Sequence, residues 1–257
     1  MLRALLRHDR VAVLLALLAV ILLAWGWLLL GAGLGMERMN MGGGRIMLMA
    51  PEWSIGYAAL VFLMWAIMMM AMMLPSAAPV ILLAAALMRQ RAGNHVYGPT
   101  GLFVSGYLVI WFGFSLVATA LQWSLDKVGL LSEDMAVGGA TLAGLLLVAA
   151  GLYQWTPLKQ ACLVQCRSPF EHLTKYWRQG AFGPMLAGAG HGLFCLGCCW
   201  MLMALLFVGG LMNVLWIAAL ALLVLIEKML AVGPRVSRFT GIMFVAWGTV
   251  VLFRQFP

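Results

Sequence analysis

Apolar residues in this chain run on unbroken for about twenty positions at a time, instead of alternating or recurring on one face of a soluble helix. The runs fall at 11–34, 54–86, 100–124, 138–155, 184–208, 213–232 and 239–255, separated by short clusters of Gly, Pro and charged residues. A bilayer core needs about 20 apolar residues per helix, so the pattern predicts an all-α, polytopic transmembrane helix bundle of about seven spans. Nothing divides it further, and residues 1–257 read as a single integral membrane domain. Composition agrees: 65% of the residues are hydrophobic and 9% charged, whereas soluble domains are about a quarter charged. The first run follows a basic Met1–Arg10 but is too long for the core of a signal peptide, and it reads as a retained span with Trp25 and Trp27 as interfacial anchors.

A net charge of +8 would suggest nucleic acid in a soluble chain. Here its distribution gives another cause. Loops on the N-terminal side hold Arg3, Arg7, Arg10, Arg89, Arg91, Lys159, Arg167, Lys175, Arg178, Lys228, Arg235 and Arg238, against Arg38, Arg45, Lys127 and Arg254 on the other. Basic loops stay inside, so the N-terminus is expected in the cytoplasm, and no nucleic-acid partner is needed. The lipid bilayer is the expected surrounding.

Sulfur changes the picture. The run 184–208 contains His191-Gly192-Leu193-Phe194-Cys195-Leu196-Gly197-Cys198-Cys199-Trp200. At about 100° per residue, His191, Cys195, Cys198 and Cys199 share one stripe at membrane depth. Ionised thiols there need a cation or a partner; neutral ones pack as small hydrophobes. Upstream, Cys162 and Cys166 stand four apart on one helix face, with Arg167 and Lys159 close enough to favour thiolate. His172 is an additional candidate ligand, and the other reading of this segment is an amphipathic surface helix with Tyr176 and Trp177 at the interface. Five cysteines in such irregular spacing do not form a secreted disulfide framework.

The second run carries Met64, Met68 and Met72 at four-residue intervals, with Met69 and Met73 beside them. Thioethers suit soft metals, and they also serve as adaptable core filler. Pro75 and Pro79 lie within the same run and deprive carbonyls one turn earlier of their amides. The helix should bend there and face protein that re-satisfies those groups. A loop expected on the outer face interleaves Met36, Met39, Met41, Met47 and Met49 with glycines and could collect Cu(I). Asp126, Glu133 and Asp134 read as a solvated surface, His95 as a solvated loop residue, and Glu227 as paired with a basic neighbour.

With these residues in view, the chain resembles a bacterial family of predicted metal-binding integral membrane proteins. Some of its members are regarded as copper chaperones associated with a tyrosinase-type polyphenol oxidase. The resemblance is carried by Trp65 and Met68 to Ser76, by Tyr153-Gln154 through Pro157, Lys159, Cys162 and Cys166-Arg167, by Gly190 to Trp200, and by Glu227-Lys228. It covers about residues 54–235. It implies a multi-pass protein of a bacterial inner (cytoplasmic) membrane, copper as the cargo and a copper-dependent oxidase as the client.

Three functions follow from the residues. The first is Cu(I) binding and delivery to a cuproenzyme, by a protein that is not itself an enzyme, through His191, Cys195, Cys198, Cys199, Cys162, Cys166, Met64, Met68, Met69, Met72 and Met73, with another soft metal as the variant. The second is a membrane thiol–disulfide oxidoreductase using the C-x-x-C pair Cys195 and Cys198, although the βαβ surroundings of thioredoxin-like proteins are absent. The third is a structural or accessory membrane subunit. No carboxylate dyad, phosphate loop or Ser/His/Asp set points to hydrolysis.

Overall fold

A computed structural model describes residues 2–30, 37–40, 46–49, 53–92, 97–132, 135–168, 180, 182–230 and 232–254. Among them, the helices are α1 (Leu2–Leu29), α2 (Ile55–Ala92), α3 (Tyr97–Lys127), α4 (Ala140–Tyr153), α5 (Pro157–Arg167), α6 (Gly183–Ala204), α7 (Leu206–Gly209), α8 (Val214–Met229) and α9 (Gly233–Phe253). A short antiparallel hairpin, β1 (Glu37–Asn40) and β2 (Ile46–Met49), lies between α1 and α2, with Met39 paired to Met47. Met36, Met41, His95, Glu133, Asp134, His172, Tyr176 and Trp177 lie outside the described residues.

Every expected run is a helix, but not every one is long enough to be a span. Among the described residues, five helices have the length and apolarity to cross a membrane, or six if α4 and α5 count together as one broken span bent by 63°. The expected seven included α4, which has 14 residues, and α8, which has 16. Local chemistry bounds both, and α8 loses the end of its run at Leu230, whose backbone is extended (φ −87°, ψ 145°). Pro157 opens α5, and Thr156 Oγ1 caps it by accepting from the Lys159 N–H. Asn213 caps α8 in the same way, accepting from the Trp216 N–H at 3.1 Å. The outer surface is greasy in the manner of a lipid-facing bundle: Leu15, Leu22 and Leu23 of α1 and Phe239, Ile242 and Trp247 of α9 are exposed.

The interior is built around α2, α3 and α6. The α3–α6 contact is the most extensive, and small residues make it close: Gly106 lies on the backbone at Met185, and Gly188 on the backbone at Phe103. Helix α2 runs continuously through Pro75 and Pro79. The missing Pro75 amide frees the Ala71 carbonyl, and Trp25 of α1 donates its indole N–H to that oxygen at 3.2 Å. Trp25 therefore serves as a carbonyl partner for a proline-interrupted helix. Trp25→Phe should cost about 1 kcal/mol, the value of one hydrogen bond whose acceptor is left wanting. The midpoint of unfolding in detergent measures it.

Helix α5 also departs from expectation. One face packs along α6 with Cys166 buried and Lys159 fully buried, while Leu158 and Val164 on the other face stay exposed, so it is amphipathic but anchored in the bundle. Lys159 and Lys228, counted above as loop charges, are 0% and 7% exposed. Lys159 forms an ion pair with Glu227 at 2.6 Å, and Gln154 Nε2 donates to the other carboxylate oxygen at 3.0 Å. Glu227 thus pairs with a residue far away in the chain rather than with its neighbour. Ser237 of α9 donates to Gln154 Oε1 at 2.9 Å, tying four helices into one buried polar network.

Candidate metal centre

Residues 195–199 occupy the middle of α6, where the stripe faces inward: Cys195, Cys198 and Cys199 are each exposed by 2% or less. Their positions are fixed locally. Cys198 and Cys199 both hydrogen-bond the Cys195 carbonyl, at 3.1 and 2.9 Å. Other helices bring the rest of the sulfur. Cys166 Sγ of α5 stands 3.9 Å from Cys198 Sγ, and Met73 Sδ of α2 stands 3.9 Å from Cys199 Sγ. Gly197 lets α5 approach, because a Cβ there would meet Cys162 Sγ at 2.7 Å. Tyr153 donates its phenol proton to the Gly197 carbonyl and holds the end of α4 to the same turn of α6.

Two further side chains enter this centre that the residue pattern did not single out. Tyr107 of α3 has its hydroxyl 3.1 Å from Cys195 Sγ and 3.4 Å from the Met73 carbonyl. Lys228 at the end of α8 directs its amine to Cys195 Sγ at 2.8 Å, with Ser76 Oγ at 3.5 Å, Cys199 Sγ at 3.9 Å and Met73 Sδ at 4.0 Å. The Lys228 signal was present in the sequence as a lysine next to a glutamate at the end of an apolar run. It reads there as an interfacial charge. Tyr107 gave no signal beyond being an aromatic residue in a run of apolar ones.

The remaining candidates divide. His191 is buried one turn before Cys195, with its ring stacked on Tyr107 at 5.8 Å and Phe103 at 6.4 Å. Cys162 is partly exposed beside Gly197. Met64, Met68, Met69 and Met72 are all buried along α2. They extend from the Met73 level for about two and a half turns toward the other end of the helix. All five cysteines are free thiols. Among the described residues, no three His, Cys, Asp or Glu side chains close on one point as a finished metal site. The sulfurs surround the Lys228 amine instead, and the donor set is soft: thiols and a thioether, in an apolar setting.

The fold and this donor set define a membrane-type helical bundle with a cluster of thiols and a thioether in its interior. The family model PpoB2, described as a copper chaperone, matches residues 62–251, and the chain belongs to that family. The resemblance drawn from residues 54–235 covers nearly the same stretch. No curated protein and no solved structure matches the chain. A copper-related role follows from the family.

Proposed function

We propose that the chain holds Cu(I) in its interior on Cys195, Cys198, Cys199, Cys166 and Met73 and passes it to a copper enzyme, without itself catalysing a reaction. What carries this reading is that sulfur from three separate helices, α2, α5 and α6, meets within 4 Å contacts in the buried interior. Thiolate and thioether together favour Cu(I) over harder ions, and a thioether releases it more readily than a thiolate. In this reading His191 orients α6 through its aromatic stack, and Met64, Met68, Met69 and Met72 form a weak thioether track leading to Met73. The N-terminus faces the cytoplasm of a bacterial inner membrane, a reading supported by Arg3, Arg7 and Arg10 just before the first apolar run. The client is a copper-dependent oxidase.

Protein purified in detergent from copper-replete, reducing conditions should carry close to one Cu(I) per chain, with sulfur neighbours in its X-ray absorption spectrum. Cys195→Ser and Cys198→Ser should each weaken retention against a Cu(I) chelator by tenfold or more, on the scale seen when metal sites lose supporting groups, about 10–100-fold. Metal-free wild-type protein from that preparation would overturn the reading. The 3.9 Å separation of Cys166 and Cys198 also favours a second reading, thiol–disulfide exchange between α5 and α6. A mixed disulfide with a partner, trapped on Cys198→Ser or Cys166→Ser without any dependence on copper, would select it.

A further inference from the structure

An ammonium group has donors and no acceptor, so when buried it must be surrounded by acceptors. Among the described residues, two buried lysines meet this need differently. Lys159 is neutralised by Glu227 at 2.6 Å. Lys228 is next to Glu227 in the chain, yet its amine turns the other way, into the sulfurs of Cys195, Cys199 and Met73. These are the atoms that a soft cation would seek. Two cations within a few ångströms of one another repel strongly in a medium of low dielectric constant. The Lys228 amine also fills the space among Cys195, Cys199 and Met73, so a copper ion bonded to these three sulfurs and the amine cannot occupy that place together.

Lys228 also borders an opening. A cavity of about 330 Å³ lies between α5, α8 and the start of α9, lined by Lys228 together with Gln160, Val164, Arg167 and Ser168. The lysine thus stands between this cavity and the sulfur centre.

We propose that Lys228 is a resident cation whose place an incoming Cu(I) ion takes, the ammonium withdrawing into this cavity, which is thereby the port through which copper reaches the sulfurs. The inference rests on the copper reading above. The exchange substitutes one unit of positive charge for another at the sulfur set. The Cu(I) bond to a small thiol or thioether carrier breaks and a bond to Cys195 Sγ, held as thiolate by the ammonium, forms; the carrier leaves with its own electron pair, and the proton of any further thiol that joins the ion passes to a thiolate carrier or to water in the cavity. The ammonium keeps its proton, and no electron changes hands. In the cavity, Gln160 and Ser168 offer oxygen acceptors, and water hydrates the compact ammonium and screens it from Arg167. Emptying the centre reverses the movement, so the buried thiols are never left without a cation. That matters because an unpaired ionised thiol in such a place is costly.

The test uses wild-type protein in detergent, stripped of metal and then either left empty or loaded with Cu(I) in the presence of ascorbate. Both samples are treated with a water-soluble amine-acylating reagent, and the Lys228 peptide is quantified by mass spectrometry alongside bound copper. Copper bound with a severalfold rise in Lys228 acylation is the expected result. Copper bound with unchanged or lower acylation overturns this inference and leaves the copper reading standing. Failure to bind copper at all removes both. Val164→Trp, at the exposed wall of the cavity, should slow copper loading severalfold while leaving the amount bound unchanged. An unaltered loading rate would overturn the port.

Discussion

Gly188→Ala is expected to cost about 3 kcal/mol or more, the upper end for overpacking a close contact. The added Cβ would stand 1.9 Å from the Phe103 carbonyl oxygen and 2.8 Å from its carbonyl carbon. Both are backbone atoms of a long helix, so no side chain can rotate away; α3 and α6 must separate by on the order of 1 Å. Gly106→Ala meets the Met185 carbonyl at 2.0 Å from the opposite side of the same interface and should cost as much. Because either change alone parts the helices, the double variant should cost less than the sum of the two. Gly113→Ala is the control. Its Cβ meets nothing within 4 Å, and replacing a helical glycine should stabilise by up to about 1 kcal/mol. The opening reaches the centre as well, since Tyr107 on α3 and Cys195 on α6 hold their 3.1 Å contact across this interface. Denaturant unfolding in detergent measures the first effect and copper retention the second. A Gly188→Ala protein as stable as wild type would mean that the helices do not pack this closely.

How much of this was legible in the sequence varies with the range of the interaction. Apolar runs depend on neighbouring residues alone, and each of the seven became a helix. Helix ends were harder to read, since α4 stops at Gln154 and α8 at the extended Leu230, each before its apolar run is over. The inward stripe of Cys195, Cys198 and Cys199 is a matter of helical period and was readable. So was the burial of Met64, Met68, Met69, Met72 and Met73 on α2. The partners were not. Cys166 meets Cys198 only because α5 folds back along α6 after Pro157, and no local pattern reveals that return. Lys159 and Lys228 were misread for the same reason: a basic residue near the end of an apolar run ordinarily reaches for water. Here the acceptors that bring each amine inside come from distant parts of the chain, Glu227 for one and the sulfur set for the other.

The second large effect belongs to that ion pair. Lys159→Met removes the cation from a carboxylate that is itself almost fully buried, and an unpaired buried charge typically costs about 3–5 kcal/mol. Gln154 remains as a donor to Glu227 at 3.0 Å and keeps the loss near the lower figure. Replacing both partners, Lys159→Met with Glu227→Leu, removes the charge together with its counter-ion. It should restore most of the lost stability, because isolated buried ion pairs contribute little net free energy over well-packed apolar residues. The pair would then be retained for position. It fixes α5, which carries Cys166, against the last turn of α8, which carries Lys228. The double variant should therefore unfold at close to the wild-type denaturant concentration yet hold copper more weakly. Rescue of copper retention together with stability would show that the pair serves the fold alone. A double variant no more stable than Lys159→Met would show that Gln154, Ser237 and Thr240 depend on the carboxylate to remain hydrogen-bonded in the interior.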